Sequence, residues 1–157
     1  MGRLLIISLA YLYAGKMPQT SPAIVTVKAT ESIVYIGASS MVEIGVDVKE
    51  GYHIQANKVN DESLVPTTLE VKENQYVTIS KVEFPPSKQF KLEGTDNLLQ
   101  VYDGKFPIQL LLSPLAKAKT GKYTLGAKLT YQACDAKSCL FPRGVDFFIP
   151  IEVKTKK

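Results

Sequence analysis

From Ala23 onward, apolar and polar positions alternate in short runs, and nowhere does an apolar stripe of helical period persist for three turns. The clearest run is Met41 to Val48, with Val42, Ile44 and Val46 on one side and Met41, Glu43 and Gly45 on the other. Lys49-Glu50-Gly51 then makes a turn. Runs rich in Val, Ile, Thr and Tyr predict further strands over Ala23 to Ala29, Ser32 to Ile36, Tyr52 to Asn57, Thr67 to Lys72 and Tyr76 to Val82. The second half continues with Leu98 to Tyr102, Pro107 to Ser113, Lys122 to Ala133 and Val145 to Val153. Roughly eight to ten strands at this spacing predict an all-β domain, an immunoglobulin-like antiparallel β-sandwich of two packed sheets. A closed barrel is the alternative. After Pro85-Pro86, the segment Ser87 to Asn97 breaks the rhythm with Lys, Gly and Asp and reads as the longest loop, the kind of place where function collects on a rigid sandwich.

The N-terminus has a different pattern. Arg3 is followed by the apolar run Leu4 to Ala14, then Gly15, Lys16 and the polar Pro18 to Pro22 segment. That is the layout of a signal peptide. The run is too short to span a bilayer core, which takes roughly twenty residues. Residues 1–22 are therefore read as a signal peptide with a short linker, or an uncleaved tether, and residues 23–157 as the domain. Export would place the cysteines in an oxidising compartment.

Length and charge remove several classes. The 157 residues can bury a real core without cross-links. The net charge of +4 comes from scattered lysines, with Lys154, Lys156 and Lys157 clustered only at the end. No basic stripe with interleaved aromatics is visible, so a nucleic-acid reader is not expected.

The candidate chemistry lies in YQACDAKSCLFP, which holds the only two cysteines, Cys134 and Cys139. They flank the connection between the last two predicted strands. A tight reversal over Asp135, Ala136, Lys137 and Ser138 would bring their Cα atoms to roughly 4.5 to 5.5 Å. A bridge there closes so short a loop that it removes only about 2 kcal/mol of unfolded-chain freedom, against about 4 to 5 for a loop of a hundred residues. The pair reads as a redox couple or as a structural bridge. Lys137 and Arg143 would favour a thiolate and Asp135 would oppose it. A metal site lacks ligands, since His53 is the only histidine and a copper-like set would have to recruit Met1, Met17 or Met41. Within its strand-like run, His53 reads as a packed or hydrogen-bonded residue. No metal and no organic cofactor are expected.

Tyr131-Gln132-Ala133-Cys134, four residues, then Cys139-Leu140-Phe141-Pro142 resembles the active-site hairpin of the N-terminal periplasmic domain of the DsbD thiol:disulfide interchange protein, the disulfide bond corrector family. Gly51-Tyr52-His53-Ile54, Val65-Pro66-Thr67-Thr68-Leu69 and Val101-Tyr102-Asp103-Gly104 agree in order, so the similarity runs from about Ile44 to Val153. The resemblance implies an immunoglobulin-like domain in the periplasm that takes reducing equivalents from a membrane electron-transfer domain or a thioredoxin-like domain and passes them to periplasmic disulfide proteins. Cys139 would form the mixed disulfide and Cys134 would resolve it. A cap loop bearing an aromatic residue shields the pair in the family, and here Phe90, Leu98 or Leu99 would take that part. His53 and Gln55 stand where the family has tyrosines, and with Tyr52, Tyr131 and Phe141 they complete the candidate shielding and tuning set. The domain is expected to act as a monomer. The rival function is a binding or structural module in which the same bridge only pins a hairpin.

Overall fold

In the computed structural model, which describes residues 23–156, the alternating runs become strands of three four-stranded sheets. The signal-peptide reading, Met1, Met17 and Lys157 lie outside the described residues. One sheet has the order β1 (Val25–Ala29), β3 (Ser40–Val48), β9 (Lys105–Pro114), β6 (Val77–Glu83), and all its pairs are antiparallel. The second is β2 (Ser32–Ile36), β12 (Arg143–Thr155), β10 (Gly121–Tyr131), β5 (Thr68–Val71). Here β2 runs parallel to β12, the one departure from an antiparallel pattern among the described residues.

Period-two alternation explains why these two sheets stack. Val42, Ile44, Val46 and Val48 of β3 and Ile108, Leu110 and Leu112 of β9 turn inward from one side. Leu125, Ala127 and Leu129 of β10 and Ile149, Ile151 and Val153 of β12 meet them from the other. Burying each of the larger side chains stabilises the fold by about 1.5 to 3 kcal/mol before the cost of ordering the chain. The result is an immunoglobulin-like β-sandwich.

The third sheet corrects the expectation of two. It is β11 (Ala133–Cys134), β4 (His53–Gln55), β8 (Leu98–Tyr102), β7 (Lys88–Lys91), and it sits against one part of the sandwich. Strand β7 lies inside Ser87 to Asn97, the stretch expected to be loop, and pairs with β8 from Lys88↔Val101 to Lys91↔Leu98. Lys-Gln-Phe-Lys has no β-branched residue, so its pairing comes from the neighbouring strand and not from propensity. Gly94, at φ 75°, lies in the turn that closes this hairpin. The run Lys122 to Ala133 also divides: β10 stays with the sandwich to Tyr131, and β11 crosses to the side sheet after Gln132.

The side sheet has two different faces. Ile54 and Ala56, Tyr102 and Ala133 pack into the sandwich core. Gln55, Leu99, Val101 and Cys134 alternate with them and are likewise buried. Leu99, Val101 and Cys134 form a second, small apolar cluster with Leu64, Phe90, Leu92 and Cys139 packed on it.

Candidate functional site

The β10–β12 ladder ends at Tyr131↔Arg143, and residues 132–142 make an excursion from it. Gln132 anchors the excursion, its Oε1 accepting from the Val65 backbone N–H (2.8 Å) and its Nε2 donating to the Leu140 carbonyl (3.1 Å). At the tip, Asp135 Oδ1 accepts from the backbone N–H groups of Lys137 and Ser138, each at 2.8 Å. Those bonds hold the Asp135 carboxyl below the usual carboxylate range, the Lys137 N–H contributing most and the Ser138 N–H next. The carboxylate that would have opposed a thiolate is thus tied to the turn.

Cys134 and Cys139 face each other as an antiparallel bridge and form a disulfide. Backbone bonds frame them on both sides, Leu140 N–H to Ala133 C=O at 2.7 Å and Asp135 N–H to Ser138 C=O at 2.9 Å. That pattern makes the cysteines a non-hydrogen-bonded pair, the closer of the two antiparallel pair types. Their Cα atoms are 3.9 Å apart, closer than the 4.5 to 5.5 Å anticipated from the loop length. The two cysteines differ in burial: Cys134 is fully buried (0%), whereas Cys139 is half-buried.

Strand β4 supplies the polar neighbour. Gln55 is itself fully buried, and its Nε2 lies 3.1 Å from Cys134 Sγ and 3.8 Å from Cys139 Sγ. Its backbone is held at both ends, the N–H by Gln132 C=O at 2.9 Å and the C=O by the buried Thr67 hydroxyl at 2.5 Å. His53, the register partner of Cys134, stacks on Phe90 of β7 with ring centroids 3.8 Å apart. The β7–β8 hairpin closes over the cysteine loop, and the Glu93 N–H donates to Ala136 C=O at 2.9 Å. Among the described residues, two buried side-chain atoms have no hydrogen-bond partner, His53 Nδ1 and Gln55 Oε1.

Of the residues singled out from the sequence, the structure brings together Cys134, Cys139, His53, Gln55, Phe90 and Leu99. Tyr52 and Tyr131 pack with the sandwich core instead, and Leu98 faces outward from the hairpin at 51% exposure. Phe141 is 92% exposed, two positions beyond Cys139. Leu64, Leu92 and Val101 complete the cover, and sequence reasoning had not included them. Val101 was legible as the same-face neighbour of Leu99 two positions along β8, whereas Leu64 and Leu92 come from loops without a periodic signal. Met41 is exposed on β3, in the sandwich and not on the side sheet. Among the described residues, no group of three or more His, Cys, Asp or Glu is placed to hold a metal ion.

A disulfide set in a side sheet, with one cysteine fully buried and the other half-buried beside a hairpin, marks an immunoglobulin-like domain that carries a cystine. The chain belongs to the family described as thiol:disulfide interchange protein DsbD, N-terminal, whose model matches residues 22–149. No curated protein matches it in sequence. Among solved structures it is similar to the N-terminal periplasmic domain of ScsB from Proteus mirabilis, with a TM-score of 0.54 and 17% identity over 86% of this chain and 48% of that one. The chain thus spans about half the length of that relative. The DsbD N-terminal domain of Neisseria meningitidis, in its reduced form, matches with a TM-score of 0.42 and 20% identity over 69% of this chain and 74% of that one. The seventh ScaB type I cohesin of Pseudobacteroides cellulosolvens reaches a TM-score of 0.50 at 9% identity, covering 85% and 94% of the two chains. At these identities structural likeness speaks for the fold alone, and family membership rests on the sequence model.

Proposed function

We propose that this is a periplasmic thiol:disulfide interchange domain, in which residues 23–157 carry a Cys134/Cys139 redox couple that passes reducing equivalents between a thioredoxin-like or membrane electron-transfer partner and periplasmic disulfide proteins. The observation that carries the reading is the unequal burial of the two cysteines. Exchange proceeds by in-line attack of a thiolate on one sulfur of a disulfide, and the half-buried Cys139 offers that sulfur while the sealed Cys134 does not. A partner thiolate attacks Cys139 Sγ, a new S–S bond forms, and the bond to Cys134 breaks with its electron pair left on Cys134. The partner's second thiolate then attacks its own sulfur in the mixed disulfide and releases Cys139. The partner dithiol is oxidised and the pair reduced by two electrons, and two protons from solvent neutralise the thiolates. In the opposite direction, Cys139 attacks a partner disulfide and Cys134 resolves the intermediate. The exposed Phe141 and Leu98, near the reachable sulfur and on the hairpin above it, offer apolar contact to such a partner.

The test is trapping. Cys134→Ala is expected to accumulate a dithiothreitol-sensitive mixed disulfide between Cys139 and a thioredoxin-like domain, and Cys139→Ala to accumulate none. If Cys134→Ala traps nothing while the fold is intact, the pair is a hairpin staple. A reduction potential well below about −300 mV would agree with that outcome.

A further inference from the structure

Among the described residues, Gln55 makes the only side-chain hydrogen bonds to either sulfur of the pair. Its geometry favours the sealed one, 3.1 Å to Cys134 Sγ against 3.8 Å to Cys139 Sγ. A disulfide sulfur is a weak acceptor, so the oxidised state returns little for a fully buried amide. The other end of that amide, Oε1, is buried without a partner, which an apolar side chain of the same shape would avoid. An arrangement so poorly matched to the disulfide is explained by the state that follows it. When the S–S bond breaks, Cys134 becomes a thiolate in a site closed to water, where a buried charge needs a donor. Hydrogen bonds to an ionised acceptor are roughly twice as strong as neutral ones. The interaction therefore strengthens as charge develops, which is the condition for lowering a barrier.

We propose that Gln55 is a catalytic residue of thiol:disulfide exchange at this pair: its Nε2–H donates to Cys134 Sγ as that sulfur leaves, and its free Oε1 accepts from the S–H once the thiol is protonated. The proposal rests on the exchange reading above. The reacting electrons are those of the S–S bond: the attacking thiolate forms a bond to Cys139 Sγ, and the pair from the broken bond settles on Cys134 Sγ. The amide needs no rebuilding to serve both states. Its backbone is pinned by Gln132 and Thr67, so a rotation about the last side-chain bond exchanges donor for acceptor, and Oε1 has no existing bond to lose. In the opposite direction the same donor holds Cys134 as the thiolate that attacks Cys139 and releases the partner.

The experiment uses the full chain carrying Cys139→Ser, which leaves Cys134 as a single thiol, and follows thiolate absorbance against pH. Adding Gln55→Met is expected to move the Cys134 titration upward by about one pH unit, about tenfold less thiolate at a fixed pH. Gln55→Glu keeps the shape, replaces the donor by an acceptor, and should move it upward as well. In the two-cysteine protein, both changes should slow reduction by dithiothreitol about tenfold. A purely structural Gln55 would lower the melting temperature of the oxidised form and leave the titration where it was. Unchanged titration in a folded Gln55→Met protein, or in Gln55→Glu if the first does not fold, overturns the proposal. Dithiothreitol needs no protein partner, so failure to trap a thioredoxin-like domain sinks the exchange reading separately, and failure of the titration to move sinks only the role of Gln55.

Discussion

The sandwich core and the small cluster on the side sheet are built by the same alternation of residues, yet they differ in what they bury. Between the two main sheets lie side chains such as Ile44, Ile108, Leu129 and Ile149, apolar and fully enclosed. On the outer face of β4 and β8 lie a cystine, an amide with an unpaired oxygen and an imidazole with an unpaired nitrogen, covered by Leu99, Val101, Phe90, Leu92 and Leu64. One interior lies between two broad sheets; the other lies beside a hairpin whose tip meets the cysteine loop through the Glu93 to Ala136 backbone bond. Stability is concentrated in the first interior and the proposed chemistry in the second. Unsatisfied polar atoms are tolerated where the enclosing layer is thin and nothing in the main core depends on them.

Substitution in the sandwich core should weaken the fold most and leave the cystine untouched. Ile149→Ala should lower the unfolding free energy by about 2 to 5 kcal/mol in urea titration, because the large side chain leaves a void between two rigid sheets. In the remaining folded protein, the rate of disulfide reduction by dithiothreitol should be unchanged. A loss below about 1 kcal/mol would mean that the two interiors are not unequal in weight. Phe90→Ala should behave in the opposite way. Removing the ring stacked on His53 should cost about 1 to 2 kcal/mol, since Phe90 is only partly buried, and should raise the reduction rate several-fold by thinning the cover over Cys139. An unchanged rate would show that the hairpin does not shield the pair. The smallest effect is expected at Asp135, whose folded carboxyl is held below its ordinary range. The stabilisation it gives the turn is present above the ordinary aspartate value and is lost as pH falls through the lowered folded value. Asp135→Ala should therefore melt below the parent at neutral pH, and the gap should close in acid. A gap that does not narrow on acidification would remove the carboxylate from the account of the turn.

Much of the sandwich was legible because its strands bury one face and expose the other. The apolar alternation of Met41 to Val48 survives as β3, and Ser32 to Ile36 and Leu98 to Tyr102 keep their ends unchanged. Pairing was not legible, because nothing in β2 marks it as a parallel neighbour of β12, and β4 meets β8 and β11 across long sequence separations. The side sheet escaped notice for that reason, and β7 because Lys88 to Lys91 lacks β-branched residues. At the site, the cysteine spacing and the YQAC run pointed to the pair itself. Gln55 entered the candidate tuning set only through the resemblance, at a position where the family has a tyrosine, and nothing in the sequence placed its amide against sulfur. Its contact with sulfur depends on β4 presenting His53 and Gln55 away from the face that carries Ile54, which only the register of three strands decides.

The two backbone hydrogen bonds that frame Cys134 and Cys139 contain no sulfur. Breaking the disulfide therefore leaves the hairpin's hydrogen bonding complete, with Gln132 still clamping it to Val65 and Leu140. In the exchange proposed above, the oxidised and reduced forms would then share the hairpin's backbone and differ at the two sulfurs. A partner would meet the same hairpin backbone in either state. Recognition of that backbone would then carry no redox information, and the direction of electron flow would be left to the difference in potential between the two proteins.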